Sequence, residues 1–398
     1  MRNVFIGSTV RCGGSLLARL FDHHPQVGAY PFELHLPMDE ALHPSLAARG
    51  EKDQVQNHPR LGADMTPDEV ARAVGLDPDP RRCLVGAHFR SGKLRAKSRH
   101  LDLDADFDHP AFLDHFRKGI GDDRSLSGVY DALHRALFDT WDRGAHGGTL
   151  DFVVYHRANG LFADVGRFLS EFPGSTFVDP VRHLRGCLTS EKRKVLSQLV
   201  SGRVARGWRP SDRWVPRATG RFAEATIVNW LVTFTRTVLL KERFGDRVVV
   251  YRFEDLSSRP EPTVARVAEA VGVPYHPSLE TPTNAGHPWA GNSMFGRQEG
   301  INPEMARTRD LLNATEERLL DEYAGPLLEY LEGSDGGLLD FDGLDRGALF
   351  DYDRQARYFD DREKTALHFA SLYERWRFRS ASQLLREAWR GRPRRIFL

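Results

Sequence analysis

Cysteine is scarce: Cys12, Cys83 and Cys187 are the three in 398 residues. Their scatter fits neither a disulfide framework nor a zinc site, and it suits a reducing compartment. No apolar run approaches the ~20 residues that cross a bilayer. Met1-Arg2-Asn3 passes straight into an apolar strand pattern with no small-residue cleavage site. No signal peptide is therefore expected, and a cytoplasmic location is the default. Charge of one sign is lacking too, since 56 Lys and Arg stand against 55 Asp and Glu. That balance excludes nucleic-acid binding by bulk attraction, so an anionic ligand must be met by a local basic pocket. There is no internal repeat and no low-complexity tract.

What is present is a rhythm of strands and helices. About 40% of the residues are hydrophobic, enough for a sizeable α/β core. Val4-Phe5-Ile6 reads as a buried strand, Gly7 to Gly14 as a small-residue turn, and Leu16, Leu17, Leu20 and Phe21 as one face of a helix that stops before Pro25. Further strands are expected at Phe152 to Tyr155, Thr176 to Val178 and Arg247 to Phe253. Each is followed by a helix: near Ala163 to Glu171, from about Leu184, and from about Pro262 to Val271. Such alternation implies a mostly parallel sheet with helices on both faces. The longest helical pattern runs from about Phe222 to Phe244 and stops at Gly245. In the less regular stretch between the first two strands, Thr66-Pro67-Asp68-Glu69 carries the full signature of a helix start.

Two stretches have the chemistry of an anion site. The first is Gly7-Ser8-Thr9-Val10-Arg11-Cys12-Gly13-Gly14-Ser15-Leu16. Small residues let backbone N–H groups approach a ligand, and the helix that follows adds unpaired donors and a positive dipole end. It is not the common nucleotide-kinase loop, which would need Gly at Ser8 and Lys at Gly14. Its fixed cation, Arg11, stands ahead of Gly13-Gly14-Ser15. The second stretch is Val181-Arg182-His183-Leu184-Arg185-Gly186-Cys187-Leu188-Thr189-Ser190, where an arginine at a strand end precedes a helical serine by eight positions. Arg offers a planar fork to a phosphate dianion, and Ser adds a neutral donor.

Together these stretches resemble the sulfotransferases that use 3'-phosphoadenosine 5'-phosphosulfate (PAPS). The first loop is similar to that family's 5'-phosphosulfate loop. Arg11 falls on the basic position, Gly13 on the glycine and Ser15 on the last hydroxyl, while Cys12 replaces the usual serine and Gly14 the usual threonine. Arg182 and Ser190 match the pair that holds the 3'-phosphate, with His183-Leu184 in place of the usual Asp-Pro. Tyr251-Arg252-Phe253-Glu254-Asp255-Leu256 and Val271-Gly272-Val273-Pro274 resemble a late scaffold strand and helix. Gly291-Asn292 resembles a later segment, where Arg297 is a candidate for the 3'-phosphate. The likeness spans about Asn3 to Gly300, with Pro44 to Leu150 unmatched.

The resemblance implies a P-loop-like parallel sheet flanked by helices, PAPS as co-substrate and no metal. Arg11, Cys12, Gly13, Gly14, Ser15 and Leu16 would line the phosphosulfate. Arg11 would also stabilise the leaving oxygen, and Glu33 would be the general base. Phe32 and Leu34 flank Glu33, and apolar neighbours raise a carboxyl pKa and strengthen it as a base. Some branches of the family use histidine, so His35, His88 and His156 stand as alternatives. The acceptor is expected to be a hydroxyl of a small molecule or carbohydrate, and the oligomeric state is open. A sulfotransferase domain over 1–332, with an acceptor-shaping insertion at 45–150, would be followed by a linker at 333–347 and a helical extension at 348–398. Arg203, Arg206, Arg209, Arg213, Arg217 and Arg221, interleaved with Trp208 and Trp214, suggest a basic aromatic loop that its prolines keep from being one helix. Two other readings stand beside this one: a P-loop small-molecule kinase, and a non-catalytic nucleotide-binding protein.

Overall fold

The four apolar runs read from the sequence become strands and a fifth, β2, joins them: β1 (Arg2–Ser8), β2 (Val27–Glu33), β3 (Phe152–Ala158), β4 (Thr176–Val181) and β5 (Val248–Arg252). They form one sheet in the order β2-β3-β1-β4-β5, with every pairing parallel. The computed structural model describes residues 2–8, 11–33, 61–74, 76, 108–140, 151–158, 165–192, 214–284, 286–289, 300–303, 312, 314–334 and 336–349. Its helices are α1 (Gly14–Phe21), α2 (Pro67–Ala73), α3 (His109–Ile120), α4 (Leu126–Thr140), α5 (Val165–Glu171), α6 (184–192), α7 (Trp214–Phe244), α8 (Phe253–Ser258), α9 (Pro260–Val271) and α10 (Ala314–Gly333).

A parallel sheet is covered on both faces, so its strands read as continuous apolar runs. Alternate residues feed two cores. Val4, Ile6, Val178 and Val249 pack with Leu17, Leu20 and Phe21 of α1 and with Val264, Val267 and Val271 of α9. Phe5, Phe177, Val248 and Val250 face the other way, toward Leu133 of α4, Leu184 and Leu188 of α6, Trp230 and Phe234 of α7, and Leu327 of α10. The chain leaves central β1 toward β2 on one side and later passes from β3 across to β4 on the other. The carboxyl end of β1 therefore lies where connections diverge, the usual ligand crevice of such sheets.

Several local expectations have direct counterparts. Thr66 and Glu69 form the capping box that starts α2, with Thr66 N–H donating to Glu69 Oε2 at 2.8 Å and Glu69 N–H to Thr66 Oγ1 at 3.3 Å. Pro31 sits in β2 where the register with β3 shifts between Ala29 and Glu33, a place where an edge strand tolerates a residue without N–H.

Three differences from the sequence reading have physical causes. The irregular region 45–150 contains α3 and α4; Asp108 caps α3, accepting from Ala111 N–H at 3.0 Å, and Pro110 sits in the first turn. Within the described residues the long helix α7 already includes Trp214 to Arg221 of the arginine-rich stretch, with Pro216 inside it. The stretch 333–347, linker-like in its Gly and Asp content, buries Leu339, Phe341 and Leu344 in the core, and Leu339 N–H donates to Val250 O at 2.7 Å. Its turns set the composition, and its spaced apolar residues set the packing. Residues 350–398, expected to be helical, lie outside the described residues.

Candidate active site

The loop after β1 turns sharply. Arg11 has φ +72° and Gly13 φ +94°, with Cys12 between them at negative φ. Alternating signs of this kind turn successive N–H groups toward one side and make an anion-binding concavity. A left-handed arginine costs roughly 1–2 kcal/mol, so its surroundings must hold it there. The first bond inside α1 runs from Leu17 N–H to Gly13 O at 3.1 Å. The N–H groups of Gly14, Ser15 and Leu16 thus lie in the first turn, ahead of the helical ladder. Gly13 also has no room for a side chain, because a Cβ there would lie 2.2 Å from Phe253 Cδ2.

The arginine expected from β4 arrives at this loop. Arg182, buried at 5% exposure, donates from Nη1 to Arg11 O at 3.0 Å. Its guanidinium lies 4.6 Å from the Phe253 ring centroid, so one aromatic ring backs both Gly13 and Arg182. The Arg182 carbonyl accepts from Trp230 Nε1 at 2.7 Å, which ties the strand end to α7. Glu254 accepts from His183 N–H at 3.2 Å, and burial pushes its carboxyl above the usual carboxylate range.

On α6, Cys187 and Ser190 are three positions apart and share a face. Ser190 Oγ accepts from Arg11 Nε at 2.9 Å, and Cys187 Sγ lies 3.5 Å from Cys12 Sγ. The loop that follows β1 and the helix that follows β4 therefore meet along two contacts. Burial lowers the Arg11 pKa; Glu191 pulls it up and neighbouring Arg182 pushes it further down. An anion beside the buried Arg11 guanidinium would oppose the effect of burial. Burial also pushes the Cys187 thiol well up, so it is no thiolate nucleophile.

Glu33 ends β2 and pairs in register with His156 of β3, which in turn pairs with Ile6 of β1. The backbone of Glu33 thus stands level with Ile6, two residues before the end of β1 and two strand spacings, or roughly 10 Å, across the sheet. His35, His88 and Arg297 lie outside the described residues, as do Arg203 to Arg213. His24 accepts from Gln26 N–H at 3.2 Å and contacts Pro274 O at 3.0 Å.

Sequence reasoning missed Phe253, Trp230 and the pairing of Cys12 with Cys187. Phe253 left one faint signal: a lone aromatic between Arg252 and Glu254 at the end of a strand.

Comparison with known proteins supplies the family. A model of the sulfotransferase family matches residues 3–277, and the chain belongs to that family. No curated protein matches it in sequence. Among solved structures it is similar to a sulfotransferase domain from the Synechococcus PCC 7002 olefin synthase, at 16% identity and TM-score 0.44, over 82% of this chain and 94% of that one. A sulfotransferase domain from the curacin biosynthetic pathway is similar at 16% identity and TM-score 0.43, over 81% and 98%. A sulfotransferase from Mycobacterium avium is similar at 14% and TM-score 0.38, over 84% and 78%. These likenesses are remote, and family membership rests on the family model. The chain is thus a sulfotransferase with a parallel sheet flanked by helices. Among the described residues, no helix is long and apolar enough to cross a membrane.

Proposed function

We propose that this sulfotransferase takes its sulfuryl group from PAPS and gives it to a hydroxyl of a small-molecule or carbohydrate acceptor. The observation that supports the reading is the junction of Arg11, Arg182 and Ser190, the residues that the resemblance assigns to the two charged ends of PAPS. Arg11 and the N–H groups of Gly13 to Leu16 hold the 5'-phosphosulfate. Arg182 and Ser190 hold the 3'-phosphate, with Arg297 as a third candidate cation. Burial of the Arg11 guanidinium, which lowers its pKa, fits a partner of negative charge.

In the proposed reaction the acceptor oxygen attacks sulfur in line. The sulfur–oxygen bond to the 5'-phosphate breaks, and adenosine 3',5'-bisphosphate departs with the electron pair. Arg11 and the loop N–H groups stabilise the charge that grows on the leaving oxygen. The acceptor proton passes to Glu33, with His35, His88 and His156 as alternative bases. The test is a screen of hydroxyl acceptors with PAPS, read by mass spectrometry. A gain of one sulfo group on an alcohol or phenol is expected. Phosphoryl transfer from ATP, with none from PAPS, would overturn the reading.

A further inference from the structure

The helix that carries Ser190 is held on its other side by a segment beyond the family match, which ends at residue 277. Lys192 follows Ser190 by two positions. On a helix that is about 200°, so the two side chains point to nearly opposite faces. Lys192 Nζ lies 2.8 Å and 2.7 Å from the two carboxylate oxygens of Glu316 on α10. Both are buried, at 1% and 5% side-chain exposure.

The start of α6 is gripped by the same helix. Arg185 reaches Glu317 at 2.7 Å, Asp321 at 2.6 Å and Glu332 at 3.4 Å, and His183 Nε2 lies 3.0 Å from Glu332. A straight helix would hold Glu317 and Glu332 about 22 Å apart. Both meeting one arginine requires a sharp bend in α10, and Pro326 lies inside it. These outer acids are well exposed and contribute little energy. Among these ion pairs the Lys192–Glu316 one holds α6 most firmly, because a buried charge left alone is strongly unfavourable.

We infer that Lys192 and Glu316 are positioning residues for nucleotide recognition: their buried ion pair sets the rotation and depth of α6 so that Ser190 meets Arg11 at the 3'-phosphate half of the site. Neither touches the nucleotide. The inference rests on the PAPS reading. It also gives α10 a function, since the segment outside the family match completes the site from behind.

The test compares adenosine 3',5'-bisphosphate with AMP by calorimetry, because AMP lacks the 3'-phosphate that Ser190 serves. Glu316→Gln and Lys192→Met should each cut the preference for the bisphosphate roughly threefold to a hundredfold, with AMP affinity unchanged. The reversed pair Lys192→Glu/Glu316→Lys should restore it. Should the single variants not fold, Lys192→Met/Glu316→Leu removes both charges together, which cores often tolerate; it too should lose the preference. A wild-type preference that survives in these variants would overturn the inference and leave the PAPS reading standing. A wild type without preference would overturn the PAPS reading, and this inference with it.

Discussion

Arg11 and Ser190 lie 179 positions apart in the chain, and a hydrogen bond of 2.9 Å joins Nε of the first to Oγ of the second. One stands in the loop after β1, the other on the helix after β4. Adjacent parallel strands bring the two connections to the same end of the sheet. Neither residue can be moved without disturbing the other.

The first prediction follows from that bond. In a double-mutant cycle of Arg11→Ala and Ser190→Ala, effects on bisphosphate binding should be non-additive by roughly 0.5–3 kcal/mol. Arg11→Ala should also lower kcat by about 10²- to 10³-fold, more than it weakens product binding. Additive binding effects with near-normal kcat would reduce Arg11 to an independent surface contact.

Glu33 can be tested through basicity alone. Glu33→Gln keeps size and polarity, so PAPS binding should hold while the rate falls by about 10²- to 10⁴-fold. The acidic limb of the pH–rate profile should disappear, because a base must lose its proton to work. The defect should be smaller for a phenol than for an aliphatic alcohol, since a more acidic acceptor needs less help. Wild-type rates on both acceptors would move the role to His35, His88 or His156.

Gly13 is where the loop has least freedom. Gly13→Ala places a Cβ 2.2 Å from Phe253 Cδ2 at φ +94°. Strain of roughly 1–2 kcal/mol adds to displacement of the ring that backs Arg182. Nucleotide affinity should fall about tenfold or more, as expected when a charged hydrogen-bonding group shifts, while circular dichroism stays native. An alanine variant that binds as well as wild type would show that Phe253 does not set Arg182.

Beneath the site, Asp179 is fully buried on β4. The Thr237 hydroxyl, which has one proton, lies 3.0 Å from Thr233 O and also within hydrogen-bond reach of the Asp179 carboxyl. If that proton goes to the carbonyl, Asp179 must supply its own. Burial acts in the same direction, pushing the carboxyl well above its ordinary 3.8 against the pull of Thr237. The neutral carboxyl therefore contributes stability that is full below pH 4 and is lost as pH rises through the raised pKa. Relative to Asp179→Asn, the wild type should lose about 1.4 kcal/mol per pH unit over that window. Urea melts at several pH values measure it; a difference independent of pH would mean that Asp179 is charged when folded.

Four strands and their alternation with helices were legible in the sequence because they depend on local pattern, whereas the link of Arg11's loop to Arg182 and Ser190 came from the family resemblance. Phe253 under Arg182, Trp230 on the Arg182 carbonyl and Cys12 beside Cys187 were not legible. They depend on strand order, which brings β5, α7 and α6 to the β1 loop from distant parts of the chain. Helix α7 reaches further back than its apolar stripe from Phe222, because a proline such as Pro216 counts as a breaker in the sequence yet lies within the helix. Asp108 and Pro110 carried the same helix-start signature recognised at Thr66, in a region of weak apolar periodicity.

In the proposed reaction Arg182, Ser190 and the Arg11 loop would hold both charged ends of one nucleotide. Calorimetry of adenosine 3',5'-bisphosphate against AMP tests it most directly. The bisphosphate should bind roughly 10- to 100-fold more tightly, the scale of a charge-assisted phosphate contact, and Arg182→Ala should bring the two affinities together. Equal affinities in the wild-type protein would contradict the account.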